Sequence, residues 1–219
     1  MKKLNKSNKV MFIAVEGGEG SGKSSLLRAL GEVMSGSVMT TREPGGSAYA
    51  EIIRAAALKN PLAKTAPPET TLCLMFASRY DNVVNMIVPS IKKRVSVVTD
   101  RFDGSSYAYQ VAAQTNGRLD KIFWALREKL SLVPDVYIFI DVDPKIGIDR
   151  ARSRNTVAAS LGQYDHFDDR EILFHKKVRA GYMKFLNKVP HIIIDANRPF
   201  EIVKEDFLRE VFKLLKFCG

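Results

Sequence analysis

The feature that most constrains this chain is the run Phe12-Ile13-Ala14-Val15-Glu16-Gly17-Gly18-Glu19-Gly20-Ser21-Gly22-Lys23-Ser24-Ser25. Gly17, Gly22, Lys23 and Ser24 fit G-x-x-x-x-G-K-[ST], a loop that cradles phosphates. Glycines let the backbone curl until successive N–H groups face phosphate oxygens, and a side chain there would block the approach. Lys23 is placed to reach the β- and γ-phosphates, and the Ser24 hydroxyl to ligate Mg2+. An apolar run (10–15) precedes the loop and a helix-compatible run (26–34) follows it, so the anion would meet a helix N-terminus. Gly17, Gly18, Glu19, Gly20, Ser21, Gly22, Lys23, Ser24 and Ser25 are therefore the expected site of a nucleoside triphosphate.

A chain of 219 residues suits one α/β domain and can bury a full core. No apolar run approaches the roughly 18 residues needed to cross a membrane. Residues 1–9 carry four lysines ahead of a hydrophobic run, as a secretory signal does. Glu16 breaks that run too early for a signal, and the segment reads as a basic, flexible tail. The net charge of +10 raises the question of nucleic acid. The basic residues are dispersed without an aromatic-interleaved stripe, and a protein that handles several phosphates needs a positive cleft in any case. No nucleic-acid partner and no membrane association are expected. Cys73 and Cys218 have no metal-ligand spacing and form no disulfide framework, which fits a reducing cytoplasm.

Five β-rich segments, at 10–16, 37–41, 96–100, 136–141 and 192–195, alternate with helical ones. Short β-branched runs between longer helices predict a parallel five-stranded sheet flanked by helices on both faces, with ligands at the carboxyl ends of the strands. Helices are expected at 22–34, 48–58, 69–92, 106–113, 119–130, from Pro144 onward, 169–187 and 199–217. The small, polar segment 155–164 reads as a mobile lid, within a lid region of about 150–168. Residues 10–219 read as a single domain with that lid.

Two further blocks sit where they would face the loop: Thr41-Arg42-Glu43-Pro44-Gly45-Gly46, and Asp100-Arg101-Phe102 followed by Ser105, Ser106, Tyr107, Ala108, Tyr109 and Gln110. With the phosphate loop, they resemble the thymidylate (dTMP) kinase family of phosphate-loop proteins, whose pattern reads F-I-x-x-E-G-x-[DE]-G-x-G-K-[ST]-[ST], T-R-E-P-G-G, D-R-[YF]-x-x-S-x-x-A-Y-Q. The resemblance covers nearly the whole chain after Lys9. It implies a P-loop nucleoside monophosphate kinase fold and the reaction of ATP with dTMP to give ADP and dTDP, with Mg2+. It also implies a homodimer packed through the long helices. Phosphoryl transfer needs charge neutralisation and in-line positioning more than covalent help. Arg101, directly after a strand-end carboxylate, suits a bidentate hold on the acceptor's phosphate. Asp100 either binds Mg2+ with Ser24 or orients Arg101. By the resemblance, Glu19 touches the acceptor's 3′-hydroxyl and Arg42 faces its phosphate or sugar. Pro44 rigidifies its turn, with a cis Glu43–Pro44 bond left open. Ser105, Ser106, Tyr109 and Gln110 lie in the nucleoside-contacting block, and Tyr109 crowds the sugar 2′ position.

The family stacks an aromatic on thymine four residues before an arginine that hydrogen-bonds the base. Here Phe76 precedes Arg79 by three, and strict spacing would select Met75; Phe76 with Arg79 is the favoured pair, since both spacings keep one helix face. No arginine occurs at Gly20 or Ser21, where one branch of the family carries it, so this chain resembles the branch that supplies arginines from the lid. Arg150 and Arg154, spaced i, i+4, are the expected catalytic pair beside Lys23, Glu19 and Arg101. His166 and Asp168 depart from the family's lid motif around Phe167. Two other readings stay open: a kinase for another pyrimidine nucleotide or a deoxynucleoside, and a GTPase-type switch. The latter is weakened because no N-K-x-D sequence is present.

Overall fold

A computed structural model describes residues 10–129, 132–158 and 172–215, with the side chains of 154–158 excepted. The basic tail, most of the expected lid, His166, Phe167, Asp168 and Cys218 lie outside the described residues, as does the side chain of Arg154.

The strands are β1 (Phe12–Gly17), β2 (Val38–Arg42), β3 (Ser96–Asp100), β4 (Val136–Asp141) and β5 (His191–Asp195), all parallel, in the order β2-β3-β1-β4-β5. Residues 12–15 of β1 form an apolar run because both faces of the sheet are covered. Phe12 and Ala14 enter one core with Val97, Tyr137 and Phe139; Ile13 and Val15 enter the other with Val98, Ile138 and Ile140. The second core is closed by α1 (Lys23–Val33) and α9 (Phe200–Leu215) through Leu26, Leu30, Phe207 and Val211. Among the described residues no helix is long and apolar enough to cross a membrane.

The first core is closed by longer helical runs. Helix α2 (Ala48–Arg54) continues through a wide π turn, Ala55–Lys59. Helix α3 (Pro68–Asn82) passes through a π stretch, Val83–Ile87, into α4 (Val88–Lys92), so the helix expected at 69–92 is one run with a widened middle. Pro89 accounts for the widening: it lacks an N–H, and its ring crowds the carbonyl one turn back. Helix α5 (Asp103–Ser106) opens into a π stretch, Tyr107–Ala113, starting three residues earlier than expected. Helices α6 (Asp120–Lys129), α7 (Pro144–Ala158) and α8 (Ile172–Leu186) complete the described elements.

The α8 seam against Tyr107–Ala113 is closed at Gly181, where an added Cβ would lie 2.6 Å from the Ala112 Cβ and 3.0 Å from the Ala108 Cα. Alanine would gain about 1 kcal/mol in helix propensity. It must displace a neighbouring backbone to do so, and overpacking costs about 1–3 kcal/mol. The backbone clash is the larger effect because neither partner is a flexible side-chain end. Gly181→Ala is expected to lower the urea midpoint of unfolding; an unchanged or higher midpoint would show that the seam can relax.

Candidate active site

Strand β1 delivers the phosphate loop at the centre of the sheet, flanked by β3 and β4. A Cβ on Gly17 would stand 2.7 Å from the Ile140 carbonyl, so only glycine fits. Gly22 takes a left-handed conformation (φ 87°) and caps α1, accepting from the Ser25 and Leu26 amides at 3.0 Å. Gly20 (φ 65°) presses on α7, where a Cβ would lie 1.9 Å from the Gly147 carbonyl oxygen. That contact of bare backbone leaves no room for a side chain at position 20 and ties the loop to the helix bearing Arg150.

Lys23 is buried, and its ammonium donates to the carbonyls of Gly17 (2.9 Å) and Gly18 (3.0 Å) and to Ser21 Oγ (3.0 Å). Burial, then the nearby Arg101 charge, lowers its pKa to about 8, against the pull of Asp100, Glu19 and Glu16. The Ser24 hydroxyl donates to Asp100 Oδ2 at 3.3 Å, while Asp100 Oδ1 is buried with no hydrogen-bond partner among the described residues.

Beside the loop stands a buried charge frame. Glu16 is fully buried; its Oε1 accepts from the amides of Phe102 (2.9 Å) and Ser105 (3.0 Å), and its Oε2 from Ser105 Oγ (2.6 Å). Burial raises its pKa, with Ser105 and Arg101 pulling it partly back. Arg101 sits at φ 66°, a left-handed backbone that is rare outside glycine and concentrates at functional sites. Its Nη1 donates to the Gly17 carbonyl (3.0 Å), Ser105 Oγ (3.0 Å) and Tyr182 Oη (2.9 Å). Burial works against its charge, but Tyr182, Tyr109, Asp100 and Glu19 outweigh that and raise its pKa.

A cleft of about 550 Å³ opens from this frame, lined by Glu19, Pro44, Arg79, Arg101, Ser105, Ser106, Tyr109 and Gln110, all expected from the sequence. The Glu43–Pro44 bond is cis. Glu43, Leu58, Met75 and Phe102 also line it. Two expected residues fall outside this lining. Phe76 does not line the cleft: it is 2% exposed, packs edge-on to Phe123, and lies beneath the Arg79 guanidinium at 4.7 Å. One residue on a helix turns a side chain by about 100°, so Met75 reaches the cleft instead. Arg42 does not line it either, because the forked ends of Glu51 on α2 hold its guanidinium at 2.9 and 3.1 Å.

Arg79 is 5% exposed and ion-paired, Nε to Glu43 Oε2, at 2.7 Å, while its Nη2 donates to Ser106 Oγ at 2.9 Å. Burial lifts the Glu43 carboxyl to about 7 even with Arg79 drawing it down. Glu43 lay within a quoted block without a role of its own; its burial was the missing signal.

On the other side of the loop a second cleft of about 530 Å³ is lined by Gly20, Ser21, Gly22, Arg150, Arg198 and Phe200. Arg150 Nη1 donates to the Ala196 carbonyl at 2.8 Å. Arg198 and Phe200, on the turn from β5 into α9, carried no motif that sequence reading picked out.

A five-stranded parallel sheet whose central strand ends in a phosphate loop, with one cleft on each side of it, defines a phosphate-loop protein of the nucleotide-kinase class. The chain belongs to the thymidylate kinase family, whose family model matches residues 15–207. It is 36% identical over 192 residues to the thymidylate kinase of Protochlamydia amoebophila, covering 85% of each chain. It is 35% identical over 210 residues to that of Acholeplasma laidlawii, covering 94% of this chain and all of the relative. The crystal structure of thymidylate kinase from Ehrlichia chaffeensis superposes with a TM-score of 0.69 at 25% identity, over 92% of this chain and 98% of that one.

Lys23 supplies a signed test of the electrostatics. Its pKa in the folded chain lies below its ordinary value of 10.5, so the unfolded chain binds the proton more tightly. The charged side chain therefore opposes folding in full below about pH 8, and the penalty fades as pH rises toward 10.5. Lys23→Met is expected to melt above wild type at neutral pH, with the gap narrowing by about pH 10. A gap that widens with pH would contradict this assignment.

Proposed function

We propose that the chain transfers the γ-phosphoryl group of ATP to dTMP, giving ADP and dTDP. The observation that carries this reading is the cleft that runs from the phosphate loop past Arg101 to the buried guanidinium of Arg79. It offers one cation at each end of a nucleoside monophosphate, beside a loop built for a triphosphate. The family's name and the relatives' names point to the same acceptor.

In this reading Lys23 exchanges its three loop oxygens for the β- and γ-phosphates of the donor. Arg101 holds the acceptor's phosphate in line, with Tyr182 and Ser105 fixing its fork. Glu19 meets the 3′-hydroxyl; Tyr109, Gln110 and Ser105 flank the nucleoside, with Tyr109 crowding the 2′ position. Arg150 faces the donor from the second cleft, and Arg154, one turn on, is assigned with it to the charge on the transferring group. Such positioned cations are what phosphoryl transfer requires. Ser24 and the orphaned Oδ1 of Asp100 form a hard-oxygen donor pair that suits Mg2+. Bound there, the ion would neutralise phosphate charge during transfer.

Three coarser readings go with it. Residues 10–219 form one kinase domain. The exposed apolar side chains Tyr49 and Ile52 on α2 and Tyr80 on α3 are the face of a homodimer. The exposed thiol of Cys73 suits a reducing cytoplasm.

A coupled ADP-release assay across nucleoside monophosphates is expected to show dTMP as the fastest acceptor; faster turnover of AMP, GMP or UMP would overturn the reading. Asp100→Asn should raise the Mg2+ concentration for half-maximal rate by about tenfold or more. An unchanged Mg2+ dependence would remove Asp100 from the metal site.

A further inference from the structure

We propose that β5 is a self-pairing edge: two copies of this chain join antiparallel along His191–Asp195, with the two-fold axis at Ile193. None of these residues lines either nucleotide cleft. β5 ends the sheet and, among the described residues, pairs with β4 alone. Its even-numbered residues turn their main chain toward β4: the Pro190 carbonyl accepts from the Tyr137 amide at 3.0 Å, and the Ala196 amide donates to the Asp141 carbonyl at 2.7 Å. Alternation along a strand then turns the N–H and C=O of His191, Ile193 and Asp195 to the open side. The side chains of those three are exposed, Ile193 to 43%, while Ile192 and Ile194 face the second core. Such an edge is a template for another strand unless a charge or a proline blunts it. The middle of β5 has neither, since Pro190 and Pro199 lie outside the strand.

The sequence of β5, His-Ile-Ile-Ile-Asp, selects a second copy as the occupant. Turned antiparallel about Ile193, the strand lays His191 opposite Asp195 of the copy, imidazole against carboxylate, at both ends of the pair. Ile193 meets its counterpart on that face, and Ile192 meets Ile194 on the other. Polar and apolar partners thus match at every position, and matched cross-strand pairs stabilise a sheet. Ile193 and its counterpart exchange N–H and C=O, and each Asp195 amide meets a His191 carbonyl. The Asp195 carbonyl is already held by Arg198 Nε at 3.1 Å, which ends the ladder there. An open groove of about 720 Å³ runs along this edge, lined by residues 192–195 and by Asp206, Arg209 and Glu210 of α9. Its charges are met within the protomer, Asp206 by Arg198 at 2.6 Å and Glu210 by Lys213 at 2.7 Å, so two like walls repel little. β2, which leads into α2, lies at the other end of the sheet, so the pairing leaves the α2–α3 face free for the dimer proposed above. A five-residue edge is a small contact beside the roughly 1,200 Å² from which stable interfaces start, so the association is weak and concentration-dependent.

Sedimentation velocity up to millimolar concentration and cysteine cross-linking test the pairing. Ile193→Lys should at least halve the mass of the largest species at the top concentration, leaving a dimer where the α2–α3 face associates and a monomer where it does not. Its specific activity should hold, and Ile193→Val should keep the wild-type mass. The two-fold axis puts the Cα atoms of residue 193 about 5.5 Å apart, within the span of a disulfide. With Cys73→Ser and Cys218→Ser as background, Ile193→Cys should cross-link under mild oxidation about tenfold faster than Ile202→Cys, whose site on α9 is about as exposed. Equal largest masses for wild type and Ile193→Lys, or cross-linking no faster at 193 than at 202, overturns the pairing.

Discussion

The site depends on one buried contact system, the Glu16 carboxylate and the Arg101 guanidinium meeting at Ser105. A carboxylate at 0% exposure is costly unless its oxygens are occupied. Here two backbone amides and a hydroxyl occupy them. Those amides belong to the turn after β3, so satisfying Glu16 forces that turn against the end of β1. Arg101 then reaches across to the Gly17 carbonyl, and its left-handed backbone is tolerated because so many partners fix it. The loop and the acceptor cleft are thereby built on one frame.

The same logic of close backbone approach shapes the other side of the loop. Gly20 and Gly147 meet without side chains, which couples the loop to α7 and its Arg150. At position 20 the space an arginine would take is filled by another backbone.

Much of this was legible in the sequence because it is local. The strands, the phosphate loop and the block from Asp100 to Gln110 all follow from period, turn chemistry and motif. What escaped depends on how distant elements lie. Asp100, Asp141 and Asp195 each end a strand, but only the sheet order shows that Asp100 faces Ser24 while Asp141 pairs with Arg179. Phe76 and Met75 differ by one residue on a helix, and only Met75 lines the cleft. Arg42 looked free for a ligand until α2 brought Glu51 beside it. The contact of Gly20 with Gly147 spans most of the chain and has no local signature.

In the proposed reaction one frame presents two nucleotides to each other across the loop, the acceptor between Arg101 and Arg79. A crystal structure with dTMP and a non-hydrolysable ATP analogue tests this most directly. The predicted result places the dTMP phosphate on Arg101, a base carbonyl within hydrogen-bond distance of Arg79 Nη1, and Met75 against the base. The thymine base lying in the cleft of Arg150 and Phe200, or Phe76 swung out to cover it, would contradict this placement.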